Sequence, residues 1–241
     1  MKITRIMADK GKQIDKYKIP TIAFLGDSVT QGCFELSVKE EGGFGNVYDK
    51  NSTYHNYVAK ILSVLFPATP LNIINAGIAG DNAVNGERRL QRDVLDFKPD
   101  LTVVCFALND SCGGVQSVEK YVCALRKIFE RLKEAGSEVI FMTPNMMNTE
   151  TSPYLKEEIL KQIALNMQKI QNEGVLDFYV EAAKKLCSEC GVVVCDCYEK
   201  WKKLYEQGVN VTELLANKIN HPTREMNWLF AGMLVDKMFE D

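Results

Sequence analysis

The chain has 241 residues, 46% of them hydrophobic and 25% charged, with 29 Lys and Arg against 32 Asp and Glu for a formal net charge of −3. Such a chain can close a core without disulfide or metal staples, and its apolar content excludes intrinsic disorder. The balanced charge offers no concentrated basic surface for nucleic acid or an anionic membrane, and no apolar run approaches the ~18 residues of a membrane span.

In chain order, the first twenty residues hold six Lys or Arg with no apolar stretch behind them, so no secretory signal is read here. Residues 1–19 are taken as an N-terminal extension of a single domain spanning 1–241. The first β-type run is Thr21–Ser28 (TIAFLGDS), followed by Thr30–Ser52, whose EEGGFG and lack of periodicity predict a long loop. A helix follows through Tyr57, Ile61, Leu62 and Leu65, with His55 expected at its start, partly exposed and without chemistry. Further strand-like runs are Leu71–Gly77, Leu101–Asp110, Glu138–Pro144 and Gly191–Tyr198. Helical spacing joins Tyr121, Leu125, Ile128, Phe129 and Leu132, and again Met226, Leu229, Phe230, Met233 and Leu234 behind Pro222. Asn145–Pro153 reads as a second long loop. The strand runs are nearly continuous in apolar residues, as in parallel strands covered on both faces. Strand and helix alternate, which predicts a three-layer α/β/α sandwich on a five-stranded parallel sheet with right-handed crossovers.

The eight cysteines fall mostly in apolar segments and read as reduced core thiols of a cytoplasmic protein. Cys187-x-x-Cys190 with Cys195 and Cys197 has a zinc-like look. The first pair sits at a helix end, however, and the second pair is expected on one face of a strand, so buried thiols fit better and no metal is expected. No phosphate-binding GxxxxGK[ST] is present and Gly77-Ile-Ala-Gly80 lacks the dinucleotide fingerprint, so no cofactor is expected either. The Asn51-Ser-Thr sequon has no consequence in a cytoplasm.

Polar residues collect where strands end: Gly26-Asp27-Ser28, Asn75-Ala-Gly-Ile-Ala-Gly80-Asp81-Asn82 and Asn109-Asp110, with His221-Pro222 at the entrance to the last helix. In an open parallel sheet these ends face one crevice. Gly26-Asp27-Ser28-Val-Thr-Gln-Gly32, Gly80, Asn109 and His221-Pro222 occur in the order of the four sequence blocks of the GDSL/SGNH hydrolases, and the chain resembles that family of esterases, lipases and carbohydrate deacetylases. The resemblance implies the SGNH hydrolase fold, flavodoxin-like in strand order 2-1-3-4-5. It also implies Ser28 as nucleophile, His221 as general base, and an oxyanion hole from the Ser28 and Gly80 backbone N–H groups and the Asn109 side chain. A hydroxyl needs such a base to attack, and a glycine lets substrate approach the backbone. Asp81 and Asp110 are read as structural.

Two positions depart from the pattern. Ala107 stands where the family has glycine, a difference of one methyl. Lys218 stands three residues before His221, where the family usually has the aspartate that orients the imidazole, and a lysine cannot accept the ring N–H. Three outcomes are open: a backbone carbonyl or the side chain of Asn217 or Asn220 orients His221, leaving a Ser–His dyad, the reading favoured here; a distant carboxylate such as Asp27 or Asp196 substitutes; or the site is impaired. The expected activity is hydrolysis of a small-molecule or carbohydrate ester with a short acyl group, with specificity from the loops Thr30–Ser52 and Asn145–Pro153 and with Phe34, Phe44 and Tyr48 in the wall. The competing expectation is an SGNH-fold protein that binds such a ligand without turnover.

Overall fold

The structure, a computed structural model, describes residues 1–39 and 43–240. Its strands are β1 (Thr21–Gly26), β2 (Cys33–Val38), β3 (Phe44–Tyr48), β4 (Asn72–Gly77), β5 (Leu101–Cys105), β6 (Glu138–Met142) and β7 (Val193–Cys195). The helices are α1 (Lys2–Lys12), α2 (Ser28–Gln31), α3 (Tyr54–Leu65), α4 (Ala83–Asp93), α5 (Val118–Glu134), α6 (Glu158–Asn172), α7 (Val175–Cys190), α8 (Cys197–Glu206) and α9 (Arg224–Phe239). The main sheet runs β4-β1-β5-β6-β7 with every pairing parallel. Counted over its five strands that is the expected order 2-1-3-4-5. Central strands β1 and β5 are buried at every residue, which is why they read as unbroken apolar runs. No described helix is long and apolar enough to cross a membrane.

Four of the five sheet strands stop earlier than their apolar runs, while β4 ends at Gly77 as its run does. At β1 the cause is Asp27, whose carboxylate accepts the Val29 N–H (3.0 Å) and opens α2. Asp196 does the same after β7, accepting the Glu199 N–H (3.1 Å). Cys197 therefore starts a helix instead of sharing a strand face with Cys195, and the two thiol sulfurs lie 3.8 Å apart.

Thr30–Ser52 is not a plain loop. It holds an antiparallel hairpin, β2 with β3, whose base is closed by the Asp49 N–H donating to the Gly32 carbonyl (2.9 Å). The hairpin stands outside the main sheet and has no fully buried face to impose an alternation on its sequence. Glu40, Glu41 and Gly42, part of the EEGGFG stretch, lie outside the described residues.

Two helical stripes are rotated from their expected positions. On α3 the buried face is Tyr54, His55, Tyr57, Val58 and Leu62, with Leu65 exposed; on α9 it is Asn227, Phe230, Ala231, Leu234, Val235 and Met238. The shift is set by Asn227, whose side-chain oxygen accepts the Tyr54 N–H (3.0 Å) and so caps α3 from a neighbouring helix. The N-terminal segment forms α1. Glu138 accepts the Lys2 and Ile3 N–H groups (2.9 Å each), and Ile3 and Met7 join the hydrophobic cluster that runs on to Met238.

Beneath the carboxyl end of the sheet, buried Arg89 of α4 donates to the Gly26 carbonyl (2.9 Å), the Ala76 carbonyl (2.6 Å) and the Asp81 carboxylate (2.6 Å). One guanidinium thus ties the ends of β1 and β4 to the loop beyond β4. Replacing Arg89 by Met leaves Asp81 buried and unpaired and takes a donor from each of two strand-end carbonyls, so we expect a loss of about 3–5 kcal/mol, read as a lower urea midpoint. A loss under about 1 kcal/mol would show the tie to be dispensable.

Candidate active site

Ser28 is the first residue of α2, with Gly26 and Gly77 paired beneath it at the ends of β1 and β4. Gly77 has to be glycine: a Cβ there would lie 2.2 Å from the Gln31 backbone nitrogen, because α2 crosses directly over β4. Gly80 has φ +77 with open space where a side chain would be. The Ala79 N–H donates to the Gln31 side chain (2.7 Å), which holds this loop against α2. The backbone N–H groups of Ser28 and Gly80 find no acceptor among the described residues. Asn109 donates one amide hydrogen to the Asp81 carbonyl (2.8 Å), leaving its second free.

His221 reaches this edge from the loop before α9. Its Nε2 lies 3.0 Å from the Ser28 Oγ and its Nδ1 lies 2.9 Å from the Phe34 carbonyl oxygen in β2. A carbonyl only accepts, so the ring proton is on Nδ1 and Nε2 is the acceptor for the serine hydroxyl. The orienting partner is therefore a backbone carbonyl. Asn217 and Asn220 are occupied elsewhere: the Asn217 side-chain oxygen accepts the N–H groups of Ile219, Asn220 and His221 (2.9–3.0 Å), and its amide donates to the Asn220 side chain (3.0 Å). Asp27 caps α2, and Asp196 accepts from Thr143 and pairs with Lys184. Lys218 turns outward to the Glu213 carboxylate (2.8 Å).

Burial dominates the electrostatics. It lowers His221 to about 4, against partial opposition from the Phe34 carbonyl and the Glu35 charge, so the imidazole is neutral at pH 7. Burial also raises Asp27 and Asp110 to about 7, with the Asp81 charge adding to both. Ala107 has φ +145 and is fully buried. Its methyl is therefore more than the small change the sequence suggests, because it sits in a backbone conformation suited to glycine, two residues before Asn109.

Ser28, Gly80, Asn109 and His221 line one cavity of about 300 Å³, together with Leu36, Phe44, Asn46, Ile163, Met167 and Ile219. Phe44, on β3, is part of this lining. Phe34 is not in the wall: its ring is buried beneath the Arg224 guanidinium (4.4 Å) and its contribution is the carbonyl. Tyr48, half exposed on β3, is also outside the wall. The 145–153 loop does not line the cavity but braces the histidine loop: the Asn148 N–H donates to the Ile219 carbonyl (2.8 Å) and the Asn145 amide to the Asn220 carbonyl (2.9 Å). Ile163 and Met167 of the wall come from α6. A larger cleft of about 470 Å³, lined by residues including Gln171, Asp177, Lys202 and Tyr205, contains none of the four block residues. No group of three or more His, Cys, Asp or Glu among the described residues could hold a metal ion.

Sequence reasoning overlooked Arg89, Gln31 and the burial of His55. Arg89 had a readable signal: it falls between Gly86 and Leu90 on the inward face of α4, where a charge is out of place unless paired. His55 is 3% exposed, donates from Nε2 to the Thr30 carbonyl (3.1 Å) and is lowered to about 4 by burial. It thereby supports the segment that carries Ser28.

The chain is 26% identical over 132 residues to an acetylxylan esterase of Geobacillus stearothermophilus, a match covering 51% of this chain and 58% of that one. Over 133 residues it is 34% identical to a Bacillus subtilis protein named uncharacterized lipoprotein YqeF, covering 51% and 55%. It thus spans little more than half the length of the curated relatives it matches. Among solved structures, the acetylxylan esterase Axe2 of Geobacillus stearothermophilus superposes with a TM-score of 0.66 over 92% of this chain and 95% of its own, at 19% identity. LAE5, an α/β hydrolase from the metagenome of Lake Arreo, gives 0.66 over 90% and 94%, at 20% identity. Catalytic mutants of Axe2 replacing a serine, an aspartate and a histidine by alanine match this fold as well. Residues 24–229 match the GDSL-like lipase/acylhydrolase family, and the chain belongs to that family.

Proposed function

We propose that the protein is a serine esterase working through a Ser28–His221 dyad. The observation that carries this reading is the relay of 3.0 Å from Ser28 Oγ to His221 Nε2 and 2.9 Å from Nδ1 to the Phe34 carbonyl. In the first half-reaction Ser28 Oγ attacks the ester carbonyl while Nε2 takes its proton. The N–H groups of Ser28 and Gly80 and the free amide hydrogen of Asn109 hold the tetrahedral oxyanion. Collapse expels the alcohol, which receives the proton from Nε2. Water activated by the same nitrogen then releases the acid and frees Ser28. The substrate we propose is a short acyl ester of a carbohydrate, such as an acetyl ester. This rests on the acetylxylan esterase among the relatives and on a cavity of about 300 Å³ that pairs apolar Leu36, Ile163 and Met167 with polar Asn46, Asn217 and Asn220. The eight cysteines are free thiols and five are buried, which supports work in a reducing compartment such as the cytoplasm. A ligand-binding role without turnover has less support, because its motive was Lys218 and the imidazole has another partner.

With p-nitrophenyl acetate, Ser28→Ala should lower kcat on the order of 10⁶-fold and Asn109→Ala about 10²–10³-fold. Equal rates in wild type and Ser28→Ala would end the esterase reading. The base must be unprotonated to act and its pKa is depressed, so activity is lost only as pH falls toward about 4, not near 6.5. An acid limb of kcat/KM at 6.5 would contradict the buried, neutral imidazole. Because Nδ1 is already partnered, Lys218→Asp should change kcat far less than the ~10⁴-fold tied to the orienting group of a triad. A gain of about tenfold or more would show that the carbonyl orients the ring poorly.

A further inference from the structure

The carbonyl that orients His221 belongs to a hairpin outside the main sheet, and a two-stranded hairpin is at best marginally stable alone. Its position must be imposed from elsewhere. Arg224, three residues after His221 in the first turn of α9, grips it at several points. Its two terminal nitrogens meet both Glu35 carboxylate oxygens (2.5 and 3.1 Å), its Nε meets Asp49 (2.9 Å), and its guanidinium lies 4.4 Å over the Phe34 ring. Glu35 follows Phe34 in β2, and Asp49 follows the last residue of β3. One side chain therefore joins the segment bearing the imidazole to both strands of the hairpin bearing its acceptor. The fork-to-fork geometry with Glu35 sets orientation as well as distance.

We propose that Arg224 is a positioning residue which, with Glu35 and Asp49, clamps the β2–β3 hairpin so that the Phe34 carbonyl keeps His221 in the tautomer that presents Nε2 to Ser28. The clamp secures the orientation of the ring, one of the two tasks of the carboxylate usual in this family. It rests on the dyad reading for its catalytic consequence but not for its structural one.

The chain contains two histidines, and their hydrogen bonds call for opposite tautomers: His221 protonated on Nδ1, His55 on Nε2. Long-range proton–nitrogen spectra of the imidazoles therefore report the clamp without turnover, with His55 as internal reference. In Arg224→Ala we expect His221 to lose its single Nδ1-protonated state while His55 keeps its own. With p-nitrophenyl acetate, kcat should fall about 10- to 100-fold with KM little changed, and Arg224→Lys, which keeps the charge but not the fork, should recover part of it. An unaltered His221 tautomer, an unchanged kcat, or a loss confined to KM would overturn the proposal. If Arg224→Ala does not fold, Glu35→Gln leaves Arg224 its Asp49 partner and should shift tautomer and kcat in the same direction by less; no shift there overturns it equally. A wild type whose turnover survives Ser28→Ala would sink the esterase reading instead, and the tautomer result would still judge the clamp.

Discussion

The hydrogen bond from His221 Nδ1 to the Phe34 carbonyl is the constraint around which the site is arranged. A neutral imidazole has one donor and one acceptor nitrogen, and only a partner on one side decides which faces the serine. A carboxylate would do this and also stabilise the imidazolium formed during attack; a carbonyl does the first and only weakly the second. The weaker counter-charge suits a ring that burial already keeps neutral. Glu35, one residue beyond the carbonyl, supplies negative charge at longer range while neutralised in part by Arg224.

The rest of the fold brings three other segments to that pair. Parallel strands deliver Ser28 and the loops bearing Gly80 and Asn109 to one edge, as the topology of open α/β sheets requires. Delivery alone does not set positions to a fraction of an ångström. Arg89 binds two strand ends and Asp81, Gln31 holds Ala79, and Asp110 accepts the Ala83 N–H (3.0 Å). Three acidic side chains, Asp27, Asp81 and Asp110, lie near enough beneath the site to repel one another, and of these Asp81 pairs with the buried Arg89 guanidinium. Burial first, and then this repulsion, accounts for the high values of Asp27 and Asp110.

Sheet order and the grouping of the four block residues were legible in the sequence because each depends on local signals: buried strands are continuous apolar runs, and strand-end residues are polar where the chain turns. The hairpin was not legible, since neither face of β2–β3 is fully buried and no alternation marks it. The stripe on α9 was misplaced because Asn227 is core by virtue of one hydrogen bond to Tyr54, which no hydrophobicity pattern contains. Phe34 reads as a wall residue because sequence shows side chains, whereas the atom that it places against His221 is a backbone carbonyl, which every residue possesses. Lys218 correctly showed that the usual aspartate is missing and left open what replaces it.

Among the described residues, two of the three non-glycine positions with positive φ lie beside the site: Ala107 (φ +145), two before Asn109, and Lys218 (φ +58), three before His221. Such conformations persist only where the surroundings over-determine them. Around Lys218 the cause is visible. Asn217 gathers three successive N–H groups onto one oxygen, the Ala216 N–H closes the loop on the His221 carbonyl (2.7 Å), and the 145–153 segment braces it from outside. A turn this tight presents its side chain at 218 outward, toward Glu213. The shape of the loop, and not only the identity of the residue, therefore keeps the side chain at 218 away and leaves the His221 Nδ1 to the hairpin carbonyl.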